Sequence, residues 1–377
     1  MPDTTVKYYD SSMSGAPSLS GTAGALIGVL DGCLVDGFGS VTVNSLVVAA
    51  NVATVTVSGG HQFAAIGNTG PVITIAGASP SGLNGQWRVT VTSTTVFTFT
   101  TSGISDQTAT GTITAKRSPA GFSKAFSATN KAVYRADQVA STRLYLRVDD
   151  TNAQWGYLRG YETMSDVDTG TRLFPATGEV YAAKSSTASS TARDWVLVAD
   201  DRAFYLFEKS DGSYWPGTVF FGDINSWVAG DAYRCALCGH ALTNALSSTY
   251  FVTLSSADQD GQYLARNYTQ LGSSLKFGKL SNGRMTYLGN NSALTYYPNR
   301  PANQFIAAPV DIWENGGIDY RGQFPGLYNP ISHYTGLAHG TVITSATGLS
   351  SSRDLWVQAL HSNNQYRAAI DITGPWR

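Results

Sequence analysis

Charge is scarce in this sequence. Only 14% of its 377 residues are Asp, Glu, Lys or Arg, against roughly 25% in ordinary soluble domains. The 25 basic residues stand against 26 acidic ones for a net charge of -1. Neither sign gathers into a run, so the electrostatic footprint that nucleic acid needs is missing and no nucleic-acid partner is expected. Cysteine is limited to Cys33, Cys235 and Cys238, an odd and sparse set that excludes a disulfide framework and fits folding in a reducing cytoplasm. Long apolar runs are absent as well. The best stretch, residues 23–38, is interrupted by Asp31 and Asp36, and a membrane span needs about 18 apolar residues or more, so no membrane partner is expected. The opening MPDTTVKYYD has neither the basic start nor the apolar segment of a Sec-type export signal, and none is expected.

What fills the space left by charge is Gly, Ser, Thr and Tyr. Such a surface is polar without being ionic. It suits β-rich proteins that bury much of themselves against neighbours, because hydroxyls desolvate at less cost than carboxylates or ammonium groups. A single core stops growing near about 250–300 residues, so this length predicts more than one domain. Residues 22–36, TAGALIGVLDGCLVD, space Ala25, Leu26, Val29, Leu30, Cys33 and Leu34 as a helix, with Gly37 and Gly39 as stops. After Gly39 the period becomes two. VTVNSLVVAA, NVATVTVSG, PVITIAG, QWRVTVTS, TVFTFTTSG and ATGTITAK predict about five or six short strands of a small barrel or sandwich.

Beyond Lys116 the stretch 117–138 is mixed, and strands are expected at TRLYLRVDD, WGYLRGYE, RDWVLVADD, RAFYLFEKS and AYRCALCG. In RAFYLFE both alternating faces are apolar, so both should be covered. From about residue 241 the chain turns rich in Ser, Asn, Gly and Tyr, with strand candidates YFVTLSS, RMTYLG, QFIAAPVDIW, DLWVQALH and YRAAIDITG. The predicted fold class is mainly β and multi-domain: antiparallel sandwich or barrel modules with one short N-terminal helix. The expected division is 1–42 plus 117–240, an inserted small β module at 43–116, and a β-rich unit at 241–377.

Residues 61–115 resemble a small β module recurrent in tailed-phage tail and other virion proteins. The likeness rests on Gly60-His61-Gln62-Phe63, the Asn84-Gly85 turn and the alternating Val96-Phe97-Thr98-Phe99. The flanks, residues 1–42 and about 117–175, are similar to a group of uncharacterised phage and prophage structural proteins, as is RGQFPGLYNP at 321–330. The resemblance implies a structural role in a virion and supplies no catalytic residues.

The residues themselves offer few anchors for chemistry. Cys235, Cys238 and His240 provide three soft ligands in CALCGH, but a strand would splay the two thiols to opposite faces, so buried core cysteines are expected rather than a zinc site. Asp166-Val-Asp168-Thr-Gly170 has the start of a calcium loop without its later ligands, and an Asx-type turn is expected; Asp258-Gln-Asp260-Gly261 reads the same way. Glycoside hydrolysis requires two flanking carboxylates. The chain has four glutamates, Glu162, Glu179, Glu208 and Glu314, none in a catalytic context, and only Asp311, Glu314 and Asp319 beside Trp313 combine acids with an aromatic platform. No Ser elbow, Walker loop or dinucleotide fingerprint occurs.

Neither a cofactor nor a metal is expected. The aromatics Tyr296, Tyr297, Trp313, Tyr320, Phe324 and Tyr328 lie in a Gly/Pro/Asn-rich context that predicts loops, where Tyr and Trp anchor protein interfaces or stack on sugars. The expectation is a non-enzymatic virion protein, assembled in the host cytoplasm, whose partners are copies of itself and other virion proteins. A tail nozzle, hub or fibre-attachment ring leads; a capsid decoration or head-fibre protein and a tail protein that binds host-surface glycan, with or without depolymerising it, are the alternatives.

Overall fold

The computed structural model of the chain describes residues 2–209, 217–240, 261–280, 307–314, 319–330, 338–344, 349, 353–359 and 367–377. Its architecture is mainly β: five antiparallel sheets with one short helix among the described residues. A central 7-stranded sheet runs in the order Lys7–Asp10, Trp195–Ala199, Ala203–Glu208, Gly217–Asp223, Cys235–Cys238, Gln262–Leu264, Leu275–Lys276. The sheet thus continues past residue 240, where the composition shifts.

Both faces of this sheet are covered, as the doubly apolar RAFYLFE predicts. Phe204 and Leu206 join one core with Leu197, Phe221 and Leu237. Tyr205 and Phe207 join another with Phe220, Phe324 and Trp356. On the first side lies a 6-stranded sheet built from residues 122–183, contributing Tyr134, Leu146 and Leu158. On the second lies the C-terminal sheet, whose long strands Ala307–Glu314 and Asp319–Pro330 contribute Ile312 and Leu327. Burying one such side chain stabilises by about 1.5–3 kcal/mol, and the three sheets share that gain through the central one.

The helix Ala25–Leu30 buries Leu26, Val29 and Leu30 and continues into a wider π-type segment, Asp31–Asp36, that buries Cys33 and Leu34. Gly37 ends it at φ 71, where a Cβ would meet the Arg117 carbonyl oxygen at 2.3 Å. Asp150 anchors its first turn by accepting the Ile27 N–H at 3.1 Å. The buried Lys184 ammonium pairs with the same carboxylate. The mixed stretch after Lys116 is in fact a hairpin, Phe122–Ala128 with Lys131–Ala136, turning at Asn130 with φ 56. Its alternation of Ser and Lys with Ala and Phe is too weak in contrast to show a period of two.

The residues between Phe38 and Arg117 form two further sheets, one 4-stranded and one 5-stranded, around their own core of Leu46, Val55, Ile75, Phe97 and Phe99. His61 stacks on Phe63 at 5.1 Å, meets Phe97 edge-on at 5.3 Å and accepts the Phe63 N–H on Nδ1 at 3.0 Å. This gives the Gly-His-x-Phe opening its physical meaning. Asn84 holds Ala78 from both sides, accepting its N–H and donating to its carbonyl, each at 2.8 Å.

Two side chains clamp this module to the rest. The Arg88 guanidinium donates to the carbonyls of Asp3 (2.6 Å), Val6 (2.8 Å) and Thr373 (3.3 Å) outside the module and to Gly70 (2.8 Å) within it. Asp354, in the C-terminal sheet's region, accepts the Asn68 N–H at 2.7 Å and the Thr69 hydroxyl at 2.9 Å.

Candidate functional site

Two surfaces carry the functional reading, and the first is built on a buried arginine. In the long strand Asp319–Pro330, Arg321 is fully buried. Its Nε donates to Asp231 at 2.9 Å, its Nη1 donates to the Arg266 carbonyl at 3.1 Å, and the same Nη1 pairs with Glu314. A guanidinium fits this role because its fixed fork of donors can satisfy several acceptors at once. Burial pushes the Glu314 carboxyl above its usual range while Arg321 opposes that rise.

The acids paired with Arg321 hold the neighbouring loops. Asp231 accepts the Ser226 hydroxyl at 2.7 Å and the Tyr233 N–H at 3.0 Å. Glu314 accepts the Tyr268 N–H at 2.9 Å on its other oxygen. Gly322, next to Arg321, has φ 151, and a Cβ there would meet the Asn225 carbonyl oxygen at 2.1 Å. Only glycine permits the strand and the 225–226 segment to approach so closely. Arg266 forks onto Glu162 with two bonds of 2.6 Å and lies 3.7 Å over the Tyr233 ring.

This framework presents aromatic side chains outward. Trp227 is 73% exposed although its backbone N–H is fixed to the Arg321 carbonyl at 2.9 Å. Its ring lies 5.8 Å from that of Tyr320, which lies 5.0 Å from Trp313. The Tyr320 hydroxyl donates to Asp311 Oδ1 at 3.1 Å, and Gln323 Nε2 donates to the same oxygen at 3.0 Å. Burial first, then Asp311, push the Tyr320 hydroxyl up to about 12. Tyr268 and Leu271 stand exposed on the adjoining loop.

The second surface is the outer face of the small module's 5-stranded sheet. Its inner residues alternate with outward ones, and pairing aligns Thr108, Val47, Thr54, Thr98 and Thr90 in one row across all five strands. The flanking rows, Ser45-Thr56-Val96 and Ala49-Val52-Thr100, are equally free of charge. The outermost strands, Thr90–Val91 and Gln107–Thr108, are two residues long. Such short edges leave the face, rather than the edge, as the place for contact.

The predicted loop aromatics are relocated by the structure. Trp313, Tyr320, Phe324 and Tyr328 belong to paired strands, because the Gly and Pro residues around them sit within a long bent hairpin rather than outside strands. Phe324 is 2% exposed and packs on Phe220 at 5.0 Å, so it is a core residue. Tyr328 is half-buried beside Leu355 and Val357. Trp313 and Tyr320 do reach the aromatic surface. Tyr296 and Tyr297 lie outside the described residues, as do Asp258 and Asp260. Sequence reading missed Trp227, whose only signal was an aromatic in a short polar segment, and Arg321, whose acids lie 90 and 7 positions away.

The remaining motifs are structural. Cys235 and Cys238 point into opposite cores of the central sheet, as a strand requires, and both are buried. Asp166 forms the expected Asx-type turn, accepting the N–H groups of Asp168 and Thr169 at 2.8 Å each. Asp168 pairs with Arg147 and Lys131. Three of the four glutamates sit in ion pairs, Glu162 with Arg266, Glu179 with Arg159 and Glu314 with Arg321, while the buried Glu208 lies 3.4 Å from His240 Nε2. Among the described residues no group of three or more His, Cys, Asp or Glu is placed to hold a metal. No family model matches the chain, and no curated protein matches it.

Proposed function

We propose that the protein is a structural component of a tailed-bacteriophage virion, associated with the tail and acting by assembly with copies of itself and other virion proteins rather than by catalysis. The observation that carries this reading is the uncharged outer face of the small module, a continuous Thr/Val array clamped rigidly to the body through Arg88 and Asp354. A face without charge meets no repulsion from its own copy, and its hydroxyls desolvate cheaply. With strands about 4.8 Å apart and about 3.3 Å per residue, three strands of five residues and two of two offer roughly 300 Å², well under half of the ~800 Å² per partner of a stable contact. It therefore suits a symmetric ring, where each copy makes several contacts at once.

The non-catalytic part of the reading is supported by the glutamates. Glu314, next to Trp313 in sequence, is held by a buried guanidinium and by the Tyr268 N–H. It is a framework group with both oxygens occupied, ill suited to deliver a proton to a substrate.

Cryo-electron microscopy of purified particles, with symmetry released around the unique vertex, tests the proposal. Density confined to the tail is the expected result. Density spread over the icosahedral shell replaces the tail assignment with capsid decoration, and particles lacking the protein overturn the virion reading altogether.

A further inference from the structure

We propose that the surface around Trp227 and Tyr320 is a binding site for a neutral pyranose, the sugar's C–H face lying on the Trp227 indole and its hydroxyls bonding Asp311, Gln323 and Tyr320. This goes beyond assembly and does not depend on it.

Three features converge. First, a large aromatic ring is held out in water on a backbone that is tied down: Trp227 is 73% exposed, yet its backbone N–H is bonded to the carbonyl of the buried Arg321. A flat apolar ring fixed in advance loses little freedom on binding. Second, polar groups rim that ring. The Tyr320 hydroxyl lies where the side chains of Asp311, Gln323 and Trp227 meet. Tyr320 and Gln323 both donate to Asp311 Oδ1, which leaves Oδ2 without a partner among the described residues. A carboxylate accepts but cannot donate, and two adjacent sugar hydroxyls supply the donors it lacks. An apolar face bordered by acceptors is the pattern of a pyranose site, since the sugar has an apolar face and a rim of hydroxyls.

Third, the local charge selects among sugars. Asp231 and Glu314 share the single buried guanidinium of Arg321, Arg266 is matched by Glu162, and Asp311 is held by the neutral donors Tyr320 and Gln323. This excess of carboxylates disfavours sialic and uronic acids and leaves neutral hexoses as the ligand class.

Incubating the intact purified protein with an array of neutral and acidic oligosaccharides, then titrating each retained one by tryptophan fluorescence, tests the site. Retention of neutral hexosides is expected, with affinity lowered about tenfold or more in W227A. D311N should weaken binding while the melting temperature stays near that of the parent. Retention confined to acidic glycans, retention undiminished in W227A, or no retention at all overturns the proposal. If W227A binds no sugar differently but detaches the protein from particles, Trp227 is an assembly contact; the sugar site is then wrong while the virion reading stands.

Discussion

Between the outer Thr/Val face of the small module and the aromatic surface around Trp227, the contrast is in what lies underneath. Beneath the Thr/Val row is an apolar layer, Leu46, Val48, Ala53, Val55, Phe97 and Phe99. Beneath Trp227 is a fully buried guanidinium with two carboxylates. A core of the first kind stabilises the sheet directly, because each buried side chain leaves water. A buried ion cluster contributes little net stability, since desolvation offsets most of the attraction, but it demands one arrangement of the groups around it. Extended sheet faces come from alternation alone; a preorganised patch on loops needs polar groups to fix those loops.

The largest expected effect breaks that contrast on the ionic side. Arg321→Met leaves Asp231 and Glu314 buried without their cation, and loss of one partner of such a cluster costs about 3–5 kcal/mol. Chemical denaturation should show this loss, and the fluorescence of the exposed Trp227 should change as its loop is released. If stability falls by less than about 1 kcal/mol, the cluster is not the framework of the surface.

Next in size is the joint between the two regions. Arg88→Met removes four bonds from a charged donor to carbonyls, three of them reaching Asp3, Val6 and Thr373 outside the module, each of a kind worth about 1.5–3 kcal/mol. Some of that is regained as water reaches the carbonyls, so a loss of about 2–4 kcal/mol is expected. Calorimetry should then resolve the small module melting apart from the body. A single unshifted transition would mean that the Asp354 contacts alone hold the module in place.

How far each surface could be read from sequence follows from the same contrast. The Thr/Val face was legible because alternation is local: VATVT and VFTFT display their inner and outer residues in order. RAFYLFE likewise announced its two covered faces. The aromatic surface was only partly legible. Trp313 and Tyr320 stood out as aromatics beside acids, but their strand pairing was obscured by Gly322, Pro325 and Gly326, which break the period within a 12-residue strand. Arg321 gave no local sign that it would be buried, because its acid Asp231 comes from a different sheet's connection 90 residues earlier. Long-range ion pairing has no period, and so it leaves no trace in a linear pattern.

A smaller effect on stability sharpens the comparison on the apolar side. Thr54→Asp places one carboxylate at the centre of the uncharged row while leaving the core beneath it intact. The cost to folding should be about 1 kcal/mol or less, within the span of strand preferences. The proposed assembly should suffer far more, because in a symmetric ring the new charge would recur at every copy of the interface. Analytical ultracentrifugation should show the variant shifted toward smaller species than the parent at equal concentration. An unchanged distribution would remove this face from the proposed assembly.

The smallest effect concerns acid, and it should act on the two regions in opposite directions. His61 is buried in the small module and its Nδ1 accepts the Phe63 N–H, so burial and this bond favour the neutral ring and lower its pKa from the usual 6.5. As pH falls through about 6.5 the unfolded chain takes up a proton before the folded one does, so module stability is full above that pH and declines below it. In the body, burial raises the carboxyls of Asp200, Glu208, Asp223 and Asp371. There the folded state holds protons more tightly, and stability falls as pH rises through the shifted values. Acidification from about pH 7 to 5 should therefore speed hydrogen exchange, corrected for intrinsic rates, in the strand Val96–Thr100 relative to Ala203–Glu208. His61→Phe should flatten that response, since the aromatic stack on Phe63 persists while the titrating nitrogen is gone. Parallel changes in both strands would show that the module and the body open together, with His61 governing neither.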